Sequence, residues 1–287
     1  SSQVLASHGI PVYLFRKIVP TPLVSCEILR RKAIGGIIIT ASHNPPEYNG
    51  FKVYSENGGM IVSPEDSQII EEVKKIDRID KISSVNFEKA VLIGNIEWIG
   101  DEADEHYLKV VSKLSIGERE NNNKLGIIFT PLHGTGGRLV PKLLNQQGFE
   151  KVKVVEKQMV PDGNFSTVAS PNPEDEKSFE MALSQTSKND DLILANDPDA
   201  DRLGVMVRSK QNSWKWLSGN QIGVLILDFT IRTMKNQNRL PKNGFVISTI
   251  VTSPLVSKLA KKNGLTSIEV LTGFKWVRKA ALDFEKE

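Results

Sequence analysis

Two segments of this sequence hold side chains whose types and spacing could do chemistry together. The first is Thr40-Ala41-Ser42-His43-Asn44-Pro45-Pro46-Glu47-Tyr48-Asn49-Gly50-Phe51-Lys52. It sets a hydroxyl, an imidazole and an ammonium in a Pro- and Gly-punctuated loop after the buried-looking run Gly36-Ile37-Ile38-Ile39. A short apolar run that stops in a polar loop is how an α/β sheet presents chemistry at a strand end. The second is Asn196-Asp197-Pro198-Asp199-Ala200-Asp201-Arg202. Alternate aspartates put three carboxylates on one side of an extended loop, where they repel one another unless a cation sits among them. An all-carboxylate set selects Mg²⁺ or a similarly hard ion. A calcium EF-hand also opens Asp-x-Asp-x-Asp, but Arg202 stands where it needs Gly and Arg208 where it needs a bidentate Glu. A charged hairpin turn is the plainer alternative, since Asp and Pro are common turn residues.

A phosphorylated serine carries close to two negative charges and is a poor electrophile until that charge is neutralised. A divalent ion on a phosphate oxygen does this and stabilises the transferring group. The two segments therefore read as the halves of a phosphoryl-transfer site. A Ser-His hydrolase fits less well. No Gly-x-Ser-x-Gly elbow surrounds Ser42, and adjacent side chains in an extended segment point apart, which should keep His43 from Ser42.

The order Thr-Ala-Ser-His-Asn-Pro, with Asp-x-Asp-x-Asp-Arg between two apolar strands, resembles the α-D-phosphohexomutases, the family of phosphoglucomutase and phosphomannomutase. The resemblance implies that Ser42 carries the exchanged phosphoryl group. It implies that Ser42, Asp197, Asp199 and Asp201 hold Mg²⁺ and that Arg202 steadies phosphate or substrate. Lys52 matches a family lysine that serves as acid and base, which requires neighbouring cations or burial to lower its pKa. A solvated strand lysine is the alternative. His43 would orient phosphate or sugar hydroxyls, or make a structural loop hydrogen bond. Thr272-Gly273-Phe274-Lys275-Trp276 resembles a third-domain substrate loop in which Lys275 contacts the substrate phosphate; a surface lysine is the alternative. The implied activity is an intramolecular phosphotransferase, an isomerase of the phosphoglucomutase type. It would interconvert sugar 1-phosphate and sugar 6-phosphate, glucose first, with sugar 1,6-bisphosphate as intermediate and activator. Phosphomannomutase, phosphopentomutase and an inactive fragment remain the alternatives.

The elements that must position these loops read as α/β throughout. A strand over 12–15, a helix over 21–32 capped by Thr21 with Pro22 behind it, and a strand over 37–40 predict a right-handed βαβ unit. A helix after Ser63, capped by it, and a helix over 101–114 complete the first segment. A second unit runs from the strand 125–130 through a helix over 138–147 to a strand over 152–155, then two strands around the acidic loop. Residues 210–218 read as a turn region, although Trp214 and Trp216 alternate as packing residues of a strand do. Pro131-Leu132-His133-Gly134-Thr135-Gly136-Gly137 fails the dinucleotide fingerprint, because its third glycine position is Leu139. It reads as a tight strand-to-helix turn, with an anion site at the following helix as the alternative. A third unit has a helix over 222–234, a strand over 245–250 and a helix opening at Thr252-Ser253-Pro254. The expectation is tandem three-layer α/β/α domains with mixed, largely parallel sheets.

By the family pattern these are domain I over 1–115 without its N-terminal strand, domain II over 116–217, and an incomplete domain III over 218–287, with domain IV absent. A polar linker is expected over 116–123. The composition, 39% hydrophobic and 25% charged over 287 residues, is that of a soluble globular protein. A net charge of +3 argues against nucleic acid, and no run approaches the ~20 apolar residues of a membrane span. No secretory leader is seen and a single cysteine, Cys26, suits the reducing cytoplasm, so a cytoplasmic location is expected. The expected partner is a phosphosugar, and the oligomeric state stays open.

Overall fold

A computed structural model of the chain describes residues 1–117 and 121–286, so residues 118–120 of the expected linker lie outside the described residues. The first segment holds α1 (Ser2–Ser7), β1 (Val12–Phe15), α2 (Thr21–Arg31), β2 (Gly35–Ile39), β3 (Phe51–Ser55), α3 (Glu65–Lys74), α4 (Phe87–Leu92), β4 (Ile96–Ile99) and α5 (Asp101–Ser112). The second holds β5 (Gly126–Thr130), α6 (Val140–Gln146), β6 (Lys151–Val154), α7 (Glu156–Met159), α8 (Glu180–Leu183), β7 (Leu192–Asn196), β8 (Leu203–Arg208) and β9 (Trp214–Leu217). The third holds α9 (Gly219–Asn236), β10 (Phe245–Thr249), α10 (Pro254–Lys262), β11 (Thr266–Val270) and α11 (Phe274–Lys286). No helix among the described residues is long and apolar enough to cross a membrane.

The second segment forms the largest sheet, in the order β6-β5-β7-β8-β9. Its β5, β6 and β7 are parallel, and β8 and β9 return antiparallel. Every residue of β5 is buried, as a central parallel strand covered on both faces must be. Phe179, Ile128, Ile193 and Met206 fill the core beneath it, with Trp214 and Trp216 packed on its margin. β9 thus lies inside the expected turn region 210–218. The tryptophan alternation reported a strand that the surrounding polar residues hid.

The first segment corrects two expectations. β1 and β2 do not pair with each other: β1 lies parallel to β4, and β2 pairs antiparallel with β3. Strand, helix, strand order sets the hand of a crossover, and it leaves the ladder partner open. Because β2 has one partner, it is half-exposed along its length rather than buried, and Ile39 is 59% exposed. Helix starts also shift. Pro20 caps α2, with Thr21 inside the helix, and the cap of α3 is Pro64, with no side-chain bond from Ser63. The third segment has the expected helix, strand and helix opening, α10 being capped by Ser253, and adds β11, parallel to β10, and α11, which the sequence reading did not name. A capping box of Ser218 and Gln221 starts α9.

The first two segments share one core. Leu139 and Leu143 at α6 pack with Leu23 of α2, Ile99 of β4 and Ala103 and Leu108 of α5. Burying each such side chain contributes about 1.5–3 kcal/mol, which holds the two units in register. Glu27 fixes α2 within this interface. It is 3% exposed, and it accepts hydrogen bonds from Arg30 and Arg31, with Arg31 reaching on to Glu102 of α5. Burial pushes its carboxyl pKa up, but the hydrogen bonds from Arg30 and Arg31 outweigh this and hold it below the usual value. A depressed folded pKa contributes stability above the unfolded carboxylate value, about 4.3, and loses it as pH falls through the folded value. Glu27→Gln should therefore cost about 2 kcal/mol in chemical unfolding near neutral pH. The difference from wild type should shrink as pH falls below about 4. An unchanged difference at acid pH would show that the carboxylate charge does not bind α2.

Candidate active site

Ser42 follows β2 in a backbone conformation that turns its side chain back. Its φ is +55°, in the left-handed region rarely occupied by residues other than glycine and found most often at functional sites. Thr40 Oγ1 accepts from the Ser42 N–H at 2.9 Å and fixes the turn. The hairpin closes at Gly50, where a Cβ would lie 2.3 Å from the Thr40 carbonyl oxygen. In this turn the Ser42 hydroxyl donates to Asp197 Oδ2 at 2.9 Å, across 155 residues of sequence. His43 Nδ1 also lies 3.2 Å from Ser42 Oγ. The expectation that adjacent side chains would diverge fails here, because the segment is not extended at Ser42. Burial first, and then Arg202, lower the His43 pKa, which favours the neutral imidazole.

The acidic loop connects β7 to β8 and is held from within. Asp197 is fully buried, and its Oδ1 accepts from the backbone N–H groups of Asp201 and Arg202 at 3.1 and 3.0 Å. Asn196 Nδ2 donates to the Arg202 carbonyl at 2.6 Å. Asp199 faces the first segment: Oδ1 accepts from Thr40 Oγ1, and Oδ2 accepts from Lys52 Nζ at 2.7 Å. The Thr21 N–H, freed by its place at the start of α2, donates to the Asp199 carbonyl at 3.0 Å. Sequence reasoning missed this contact by assigning Thr21 to a cap. It also missed Thr40, which stands in the quoted loop, and Glu174, which pairs with Arg202 at 3.1 Å.

Charge in this loop is under-compensated. Burial first, with Asp199 adding to it, raises the Asp197 pKa against the hydrogen bonds that lower it. Burial, then Asp197 and Asp199, push Asp201 up to about 6. Tyr54, two residues beyond Lys52 in β3, is pushed up to about 12 by burial and by Asp199 and Asp201. The buried Oδ1 atoms of Asp201 and Asn196 have no hydrogen-bond partner. Among the described residues no group of three His, Cys, Asp or Glu side chains is already gathered for a metal ion, and Asp199 is turned onto Thr40 and Lys52. The donor set still suits a hard divalent cation, because an orphaned buried carboxylate oxygen and raised carboxyl pKa values are what such an ion relieves.

Arg202 and Lys275 stand apart from this cluster. The Arg202 guanidinium turns outward to Glu174, and Lys275, at the start of α11, lies over the Trp276 ring at 5.3 Å. The Gly-rich loop after β5 serves the site as a brace. Thr135 donates through both its N–H and its hydroxyl to the Pro198 carbonyl, at 2.9 and 2.8 Å. At Gly134 a Cβ would lie 2.3 Å from Pro198 Cα. His133 is buried, bonding the Val160 carbonyl at 2.8 Å and Thr167 Oγ1 at 2.7 Å, which makes it structural.

Family models for phosphoglucomutase/phosphomannomutase alpha/beta/alpha domains I, II and III match residues 1–80, 105–210 and 218–285 in the order of the chain. The chain belongs to the phosphoglucomutase/phosphomannomutase family. A phosphoglucomutase of Staphylococcus aureus is 39% identical over 282 residues, 96% of this chain and 49% of the relative. A Haemophilus influenzae protein named "Probable phosphomannomutase" is 34% identical over 285 residues, 98% of this chain and 56% of the relative. The chain thus spans about half the length of the curated relatives it matches. A phosphoglucomutase/phosphomannomutase family protein from Burkholderia thailandensis shares the fold at a TM-score of 0.72 and 18% identity, over 98% of this chain and 56% of that one.

The brace makes a prediction for this family member. Gly134→Ala should push the added methyl into Pro198 backbone, which cannot swing aside as a side chain could. The expected loss is about 1–3 kcal/mol in chemical unfolding. Wild-type stability would show that the acidic loop is free to shift away from the loop after β5.

Proposed function

We propose that this chain carries the phosphoserine and metal half of a phosphohexomutase that interconverts sugar 1-phosphate and sugar 6-phosphate, with glucose as the sugar. The reading rests on one observation: the hydroxyl of Ser42 lies on Asp197 of the acidic loop at 2.9 Å. Ser42 is the phosphoryl carrier, and Ser42, Asp197, Asp199 and Asp201 are the residues that would hold Mg²⁺. When bound, that ion neutralises phosphate charge and stabilises the transferring group. The proposed division is domain I over 1–115, domain II over 116–217 and part of domain III over 218–287, with the chemistry at the junction of the first two.

The residues then act as follows. A free hydroxyl oxygen of the sugar monophosphate attacks the phosphorus on Ser42, and the phosphorus–Oγ bond breaks. The product is a sugar 1,6-bisphosphate and an unphosphorylated serine. The hydroxyl proton passes to a base and Ser42 Oγ takes up a proton, which conserves both. Neutral His43, with Nδ1 3.2 Å from Ser42 Oγ, can take the Ser42 hydroxyl proton when Ser42 attacks in the return transfer, and the imidazolium so formed can give it back. Lys52 is the proposed acid and base group on the sugar side; it acts as a base only after its ammonium, paired with Asp199 at 2.7 Å, gives up a proton. The bisphosphate turns end for end, Ser42 attacks its other phosphorus, and the isomer leaves. Arg202 and Lys275 are assigned to the substrate's phosphate. Support for glucose is the 39% identity to a phosphoglucomutase, and the phosphomannomutase name of the other relative keeps mannose as the second reading. A further reading is that the chain accepts a phosphoryl group but does not turn over.

Incubating the chain with glucose 1,6-bisphosphate and Mg²⁺ should add the mass of one phosphoryl group, and Ser42→Ala should abolish the addition. Equal labelling of the alanine variant would sink the assignment of Ser42. Adding glucose 1-phosphate separates the remaining readings, since glucose 6-phosphate forms only if the chain is itself a mutase.

A further inference from the structure

Asp199 has both carboxylate oxygens engaged by the first segment. Oδ1 accepts from Thr40, and Oδ2 pairs with the Lys52 ammonium at 2.7 Å. The pair is sheltered, with side-chain exposures of 23% for Lys52 and 5% for Asp199. Solvent and salt screen such a pair weakly. The other cation of the loop, Arg202, points away to Glu174. Among the described residues, Lys52 is therefore the one Lys or Arg side chain ion-paired with the three aspartates of the loop.

An ammonium and a divalent ion drawn to one carboxylate repel each other, and the repulsion is strong where water is excluded. We propose that Lys52 is an internal counter-cation of the acidic loop and competes with the divalent cation for Asp199. The inference rests on the phosphohexomutase reading of the loop and adds a control to it. The loop binds its cation more weakly than three carboxylates alone would, and cation binding loosens the ammonium from Asp199. The coupling is reciprocal by linkage: whatever weakens the Lys52–Asp199 pair tightens the cation. The freed ammonium lies within the cluster that holds Ser42, because Thr40 Oγ1 both accepts from the Ser42 N–H and donates to Asp199. The structure thus gives Lys52 a role before any proton transfer. It keeps the buried carboxylates partly neutralised while the loop waits for its ion.

The test is Mn²⁺ binding to the unphosphorylated chain, followed by calorimetry, for wild type and for Lys52→Met, Lys52→Gln, Lys52→Arg and Asp201→Asn. Lys52→Met and Lys52→Gln should each bind Mn²⁺ about tenfold more tightly than wild type. Lys52→Arg, which keeps the charge, should bind as wild type does, and Asp201→Asn should bind more weakly. Misfolding would lower affinity, so a gain in two variants of different shape cannot come from damage. If neither neutral variant gains affinity while Asp201→Asn loses it, the counter-cation role is overturned and the metal loop stands. An equal gain in Lys52→Arg would also overturn it, by assigning the effect to shape rather than charge. If wild type binds no Mn²⁺, or Asp201→Asn leaves binding unchanged, both the inference and the metal assignment fall.

Discussion

The structure turns on the burial of three carboxylates in one short loop. Asp197 and Asp199 are 0% and 4% exposed, and Asp201 is half-buried beside them. Taking charge out of water costs several kcal/mol per ion unless partners replace the lost hydration. Two of the three find such partners: the loop's own backbone supplies two N–H donors to Asp197, and the first segment supplies Ser42 to Asp197 and Thr40 and Lys52 to Asp199. Thr21 and the loop after β5 hold the backbone carbonyls of Asp199 and Pro198 in place. The first and second segments therefore meet where the charge is, and their shared core of Leu23, Leu108 and Leu139 holds them there. Charge compensation and packing point the same way, which gives the junction a single arrangement.

How much of this was legible in the sequence follows from the range of each interaction. The serine loop and the aspartate loop are set by residues close in sequence, so their types and order could be read directly. The pairs that make them a site are not local: Ser42 meets Asp197 across 155 residues and Lys52 meets Asp199 across 147. No periodicity reports such contacts. Lys52 and His43 were visible as residue types, while their partners were not. The left-handed turn at Ser42 was hidden for a related reason. Serine has no intrinsic preference for that conformation, and it is imposed by the bond to Thr40 and the closure at Gly50.

The fold errors have the same origin. β1 and β2 were each legible as strands, but ladder partners depend on where later strands arrive, and β4 took the place beside β1, and β3 the place beside β2, where β1 and β2 were expected to pair with each other. β9 escaped because Ser213 and Lys215 made a four-residue strand look like a turn, although its tryptophans face the core. The fully buried β5 was the easiest strand to read, since a central parallel strand writes its burial on both faces as a continuous apolar run. Legibility fell toward the sheet margins, where one face or one edge is left to context.

The two halves of the site also differ in how firmly they are held. The acidic loop hangs from β7 and β8 inside a five-stranded sheet, with its backbone carbonyls at Pro198 and Asp199 both bonded. The serine loop hangs from a two-stranded hairpin whose β2 is half-exposed along its length. Local opening costs least where few apolar contacts and few ladder bonds must break. The charge-bearing side is therefore the fixed reference of the site, and the hydroxyl-bearing side is the compliant one. That division suits the phosphoryl exchange proposed above. Carboxylates that hold a charge at a set point lose by compliance, whereas a loop that bears a hydroxyl tolerates it. Lys52 sits on the compliant hairpin yet reaches the fixed loop, so among the described residues its bond to Asp199 is the ion pair that joins the acidic loop to the hairpin whose loop carries Ser42.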